Sequence, residues 1–534
     1  LKRILRKKGN NYPFIFAFPK YLFIFHAQLS LPVILVVKKV LTPRVSRKAH
    51  PIFLWALLFL ASPVLGQSEK ELFGSGLSQI YLEIRSLKLQ SANQKLTDFP
   101  QKGPAWAYLS HLSMVVELMV TEDPDLYAEF DNAHKQHLKM VESLPASTPW
   151  KGFLSSDMKL QRAFVKLKFG EDFSAGVQLR TAYLALKKNQ LSFPNFLPQN
   201  KSFGLMQVML GSVPEKYGWI LKLLGMQGSI SEGMHRLENL SISESIFAYE
   251  ATLMLGMIEA YMLEQAANGI TNLQNQLKSH PDDLLSRYIL ISILMKNHQS
   301  QEALIWLEKP IEAKGYLNFH FLNYLRAEAN LQKGNYAQAK SLYQQFLENY
   351  KGRNFVRDAW YKLGLCFWLI DDKATSEKYF TQARVLGFSN SEADKNAEAS
   401  LKIIQNANPA IMAARLAMDG GFFDKAEKGL YSIKTSELNG LRENVELAYR
   451  KGRLAQLQSK TEQAVSYFLK CIEMAGKEPW YYAPNAAYNM GKLYAAQGDK
   501  AKAKQYFELC LSYKNHEYKN SLDNKALTGL EKLN

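Results

Sequence analysis

His134-Lys-Gln-His137 sets two imidazoles three residues apart, with Asp131 one turn earlier. On a helix these groups share a face, the raw material of a metal site or, with His111, of proton transfer. A structural zinc site closes with four ligands and this segment offers three, so a solvated polar helix face is the expected role and no metal is assigned. His-Glu-x-x-His, Gly-x-Ser-x-Gly, phosphate-loop and dinucleotide fingerprints do not occur in the chain. Cys366, Cys471 and Cys510 are too few for a disulfide framework and read as compact buried thiols. Neither a catalytic residue nor a cofactor follows from these residue types.

A phenol recurs instead. Tyr288, Tyr324, Tyr361, Tyr449 and Tyr488 are spaced by 36, 37, 88 and 39 residues. Such rings join apolar area to a hydrogen-bonding tip, so a row of them on successive helical units suits contact with a peptide. Four residues further on stand Ser292, Glu328, Leu365, Arg453 and Lys492, without the regular Lys and Asn that would clamp a terminal carboxylate.

The units that position the phenols show themselves through small residues. The sharpest is Trp360-Tyr-Lys-Leu-Gly364-Leu-Cys-Phe367, with Phe380 and Ala383 downstream. Others read Tyr449, Gly452, Ala464, Phe468 and Tyr488, Gly491, Ala503, Phe507. Earlier copies are Tyr324, Ala327, Ala339, Tyr343 and, more weakly, Tyr288, Ala303, Leu307; Gly420-Gly421-Phe-Phe423 with Ala426 marks a degenerate unit. Together they resemble the tetratricopeptide pattern W-x2-L-G-x2-Y … A-x3-F-x2-A. The resemblance implies an all-α fold, an α-solenoid of helical hairpins. Their first helices would line a concave face that holds a protein or peptide partner.

Upstream, Ser78–Leu96, Pro104–Val120 and Pro124–Glu142 have helical apolar spacing. Leu160–Lys168 with Ala175–Lys187, and Tyr249–Leu263 with Ala266–Lys278, read as hairpins. Phe203-Gly-Leu, Gly211-Ser-Val-Pro214, Leu223-Leu-Gly225-Met-Gln-Gly228-Ser229 and Gly233-Met-His-Arg-Leu237 form a different motif. It resembles the central segment of the tetratricopeptide-repeat-protein-39 family, which includes the fungal inclusion-body-clearance proteins; Met226 replaces an aromatic and Ser229 an Asp of that motif. The likeness implies a non-repeat helical insert near the middle. Because the 203–237 insert is apolar, a lipid pocket or membrane-facing surface is the alternative binding class, and an enzyme built on His111, His134 and His137 is the third.

The chain has 66 Lys and Arg against 49 Asp and Glu, a formal charge of +17. Eleven of the cations and none of the acids fall in residues 1–66, leaving 55 against 49, or +6, for Gln67–Asn534. A nucleic-acid binder keeps its cations in the folded body, so nucleic acid is excluded as the main partner. Arg47 and Lys48 precede the apolar run Ile52–Ala61 and the segment Ser62–Gly66, the layout of a secretory signal cut near Gly66. Ten apolar residues fall short of a bilayer core about 30 Å thick. Periplasm, or peripheral association with a cell envelope, is the expected setting, with an apolar N-terminal anchor as the alternative.

The expected organisation is therefore an upstream extension at 1–46, outside the mature protein, and a signal at 47–66. Divergent hairpins follow at 67–190, a linker and helical insert at 191–240, and a hairpin at 241–281. Six repeats occupy 282–515 and a capping helix 516–534.

Overall fold

The computed structural model describes residues 68–213, 218–263, 265–311 and 314–533, which form twenty-five α-helices and no strand. The extension at 1–46, the signal at 47–66 and Pro214 lie outside the described residues. The chain divides into two compact units.

The first unit holds residues 68–263, 277–286 and 314–318. Its helices are α1 (Glu69–Arg85), α2 (Leu89–Asp98), α3 (Pro104–Thr121), α4 (Pro124–Val141), α5 (Pro149–Lys168), α6 (Asp172–Ser192), α7 (Asn200–Gly211), α8 (Gly218–Leu223), α9 (Ile230–Ser241) and α10 (Ala248–Tyr261). A reciprocal cap starts α1: Glu71 N–H donates to Ser68 Oγ, and Ser68 N–H to the Glu71 carboxylate. Gly74 takes φ +57° inside α1, a left-handed value that favours glycine. The single helix read over Ser78–Leu96 is two helices, because Leu87 is buried at φ +64° between them. Residues 314–318 return to this break, where the Gly315 carbonyl accepts the Gln90 N–H at 3.0 Å and so satisfies an open donor at the start of α2. Proline opens α3, α4 and α5, where its missing N–H costs no bond.

The segment expected as linker and insert belongs to this core. Every residue from Asn200 to Leu210 is buried. Contact with α9 is backbone to backbone. A Cβ on Gly233 would lie 2.6 Å from the Gly204 carbonyl oxygen, and one on Gly228 would lie 2.5 Å from the Gln207 carbonyl oxygen. The glycines of the 203–237 motif therefore serve close helix packing. The apolar side chains of α7 are taken up by the core, while Trp219 and Leu223 of the same 203–237 insert stay exposed. Among the described residues no helix is long and apolar enough to cross a membrane.

The second unit holds 265–276, 287–311 and 319–533. The helices α11 (Ala266–Ser279) and α12 (Leu284–Lys296) each contribute residues to both units. Hairpins follow as α12/α13 (Ser300–Glu308), α14/α15 (Phe321–Lys333, Tyr336–Asn349) and α16/α17 (Val356–Trp368, Lys373–Leu386). After a lone helix, α18 (Glu392–Leu401), come α19/α20 (Pro409–Asp419, Phe423–Ser432), α21/α22 (Leu441–Leu457, Thr461–Ala475) and α23/α24 (Tyr482–Ala496, Lys500–Ser512). The terminal helix is α25 (Lys519–Glu531).

The fourth hairpin, degenerate in sequence, makes a contact the others do not need. Its tip meets the tips of the first two: Ser300 N–H donates to the Gly420 carbonyl at 3.1 Å, and His298 Nδ1 donates to the Asp419 carbonyl at 3.0 Å. Lys425 Nζ donates to the Lys333 carbonyl at 2.7 Å. Gly421 sits at φ +80°, and a Cβ there would come within 1.7 Å of the His298 carbonyl oxygen. The Gly-Gly pair thus answers to this tip-to-tip closure.

Candidate functional site

The row of tyrosines is set by repeat packing. Tyr288, Tyr324, Tyr361 and Tyr449 are each at most 5 % exposed, and Tyr488 is half-buried. In four repeats the ring packs on the second-helix aromatic nineteen residues later. Centroid distances are 5.9 Å for Tyr324–Tyr343, 5.8 Å for Tyr361–Phe380, 6.2 Å for Tyr449–Phe468 and 5.9 Å for Tyr488–Phe507. Ala383, Ala464 and Ala503 are fully buried beside them, while Trp360 is half-buried and stacks on Tyr379. Tyr324 donates its hydroxyl to buried Asp358, which also pairs with Lys362 at 2.8 Å. Buried rings with internal partners give a solvent groove little to hold, so the phenols act first as core. Cys366, Cys471 and Cys510 are buried thiols, each pushed up to about 12 chiefly by burial.

A more open constellation lies on the first helices α19 and α21 and at the start of α23. Arg450 donates to Glu446 Oε1 at 2.8 and 3.1 Å and to the Tyr481 hydroxyl at 2.6 Å. Tyr482 is hydrogen-bonded to the same Glu446. Arg415 approaches this group from α19 and Tyr361 from α16. The Arg415 side chain stays 39 % accessible. Tyr518, 45 % exposed, stands over Tyr481 edge to face at 5.5 Å.

The first unit contains a polar network that sequence reading missed. Lys201 Nζ lies 3.0 Å from Asp157 and 2.8 Å from Glu250. Tyr108 donates to Asp157 at 2.7 Å, Tyr81 to Glu250 at 2.5 Å, and Ser202 also donates to Asp157. Lys201 is held charged by these carboxylates against the opposing effect of its burial. An ammonium fixed in this way is no nucleophile.

Gln161 links the network to the histidines. It donates to Asp157 at 2.7 Å and meets His111 Nδ1 at 2.9 Å, while His111 Nε2 meets His134 Nδ1 at 2.9 Å. His134 is buried, which corrects the solvated-face reading: α3 covers that face of α4. Burial drives His111 well below the usual imidazole range and His134 down to about 3. His137, half-buried, faces the Trp106 ring at 5.7 Å. Among the described residues no cluster of His, Cys, Asp and Glu could hold a metal ion.

These hairpins define an all-α helical repeat protein. Family models described as tetratricopeptide repeat match residues 324–391, 445–478 and 484–517. Those segments are tetratricopeptide repeats, a repeat class whose proteins bind protein partners and are generally non-catalytic. No curated protein matches the chain. Among solved structures, the human IFIT1 dimer with PPP-AAAA is 15 % identical over 84 % of this chain and 94 % of that one, with a TM-score of 0.31. The P58(IPK) TPR domain is 16 % identical over 80 % and 97 %, with a TM-score of 0.21. Yeast Tom70 is 14 % identical over 85 % and 96 %, with a TM-score of 0.26. At these identities and scores nothing about binding transfers to this chain.

Proposed function

We propose that the protein is a non-catalytic scaffold that holds a protein or peptide partner against the first-helix face of its C-terminal hairpins. One observation carries the proposal. Arg415 on α19 keeps a partly exposed side chain beside the polar group of Arg450, Glu446 and Tyr481, whereas the aromatic core of these hairpins is closed. The five tyrosines contribute by shaping that face rather than by their own contact area. The likeness of 203–237 to the tetratricopeptide-repeat-protein-39 family enters only as a packing motif.

Export is part of the same proposal. Basic residues followed by a short apolar run at 47–66 support a signal cut near Gly66 and work in a periplasm or envelope. N-terminal sequencing of protein recovered from outside the cytosol is expected to begin at or near Gln67; an intact 1–66 segment would reject it. Affinity purification of the chain from Gln67 onward, with cross-linking and mass spectrometry, is expected to return a partner joined to α16, α19, α21 or α23. Cross-links confined to the first unit would move the binding face there.

A further inference from the structure

The helix α6 is apolar on both sides. Ala175, Leu179, Ala182 and Leu186 are buried on its inner face. On the outer face Phe173, Val177 and Leu191 are 41, 46 and 76 % exposed, and half-buried Leu184 stands among them. Steps of four, seven and seven residues set these four on one line about 27 Å long. Arg180, Lys187 and Lys188 flank the line and are exposed. Residues 173–214 contain no Asp or Glu, and Glu171, just ahead of the helix, is paired with Lys166 at 2.7 Å. The helix α8 extends this face. Arg180 Nε donates to the Leu224 carbonyl at 2.9 Å, and the Tyr183 hydroxyl accepts the Gln227 N–H at 3.1 Å. Residues 224–227 therefore run along α6 in its own direction, which sets α8 toward the Phe173 and Val177 end. There Trp219 and Leu223, one turn apart, are each 54 % exposed, and Lys222 beside them is exposed as well.

Exposed apolar side chains scattered singly need no explanation. A line of them with a Trp at one end and cations on both flanks has the composition of a surface that lies in a lipid interface. Indole suits the depth where headgroups meet acyl chains. Lysine stems pack along apolar neighbours while the ammonium stays at the level of phosphate. A protein-binding patch differs, because lysine is depleted there. We propose that the α6–α8 face rests on an anionic lipid bilayer, with Trp219 and Leu223 entering the headgroup layer and Arg180, Lys187, Lys188 and Lys222 meeting lipid phosphates. This surface belongs to the first unit and does not depend on the scaffold function above.

The test is co-sedimentation of the chain from Gln67 onward, which lacks the apolar run Ile52–Ala61, with lipid vesicles. One set contains phosphatidylglycerol and phosphatidylcholine in equal parts, the other phosphatidylcholine alone. Binding to the anionic set only is expected, weakening as salt rises. Trp219→Ser combined with Leu223→Ser should weaken it about tenfold or more. Lys187→Gln, Lys188→Gln and Lys222→Gln together should do the same. Both variants change exposed side chains and should keep the wild-type melting midpoint; if the serine pair melts early, the glutamine triple decides. Val385→Ser, at an exposed apolar site of α17, should bind as wild type. Full binding by a folded variant of either kind, or equal binding to both vesicle sets, overturns the lipid face. Failure to bind vesicles overturns it too, and a cross-linked protein or self-association lost with Trp219→Ser would then assign the face to a protein.

Discussion

Phe380 occupies the space that a side chain on Gly364 would need: a Cβ there would stand 2.6 Å from the Phe380 ring carbon Cδ1. Gly452 meets Phe468 and Gly491 meets Phe507 at the same 2.6 Å. Position 364 of the first helix and position 380 of the second are therefore chosen together, and the tyrosine three residues before the glycine closes the other side of the ring.

Gly364→Leu and Gly491→Leu are expected to overpack their hairpins and cost about 1–3 kcal/mol or more. Urea denaturation checks this, and pairing Gly491→Ala with Phe507→Leu should recover part of the loss of Gly491→Ala alone. Unchanged midpoints would contradict the register assigned to the hairpins.

Tyr324→Ala should cost about 3–5 kcal/mol, as for other buried aromatic truncations. Tyr324→Phe keeps the ring but strips a donor from Asp358, at about 1–3 kcal/mol. If the phenols were instead the contact surface, thermal midpoints would hold while partner affinity fell.

Lys201→Met would leave buried Asp157 and half-buried Glu250 without their cation and should cost about 3–5 kcal/mol. Adding Asp157→Asn and Glu250→Gln removes the stranded charges and should restore part of the loss. A triple variant no more stable than the single one would show that Lys201 does not act through these carboxylates.

The histidine pair makes the first unit acid-sensitive. Both imidazoles are neutral above the unfolded value of about 6.5, so they contribute fully there. Below it the unfolded chain takes up protons that folded His134 refuses until about pH 3. Stability is lost as pH falls through that window, at about 1.4 kcal/mol per pH unit for each ring. His111→Gln with His134→Gln should flatten urea midpoints between pH 6 and 4 relative to wild type; an unchanged slope would assign acid sensitivity to other groups.

The array was legible because Gly, Ala and Phe recur at fixed distances in the chain. The N-terminal network was not, since Tyr81, Tyr108, Asp157, Lys201 and Glu250 come from five separate stretches and only the fold brings them together. Helical spacing placed His134 and His137 on one face but could not say that α3 covers it. The tyrosines were ambiguous for a different reason: the same ring suits a groove or a core, and only its neighbours decide. Arg415 escaped notice because its hairpin lacks the tyrosine and glycine that mark the register elsewhere.

The tip contact between Ser300 and Gly420 changes what kind of object the second unit is. An open repeat array adds stability neighbour by neighbour and can gain or lose units at little penalty. Here the first and fourth hairpins are buckled together, so the hairpins between them sit in a closed loop of fixed count. Insertion or deletion of one unit inside the loop would pull the buckle apart, while the segment from α21 onward stays free to grow or shrink. Stretched from its ends, the unit should pay out helices from the C-terminal side first and hold at the buckle, like a belt whose free end is all that slides.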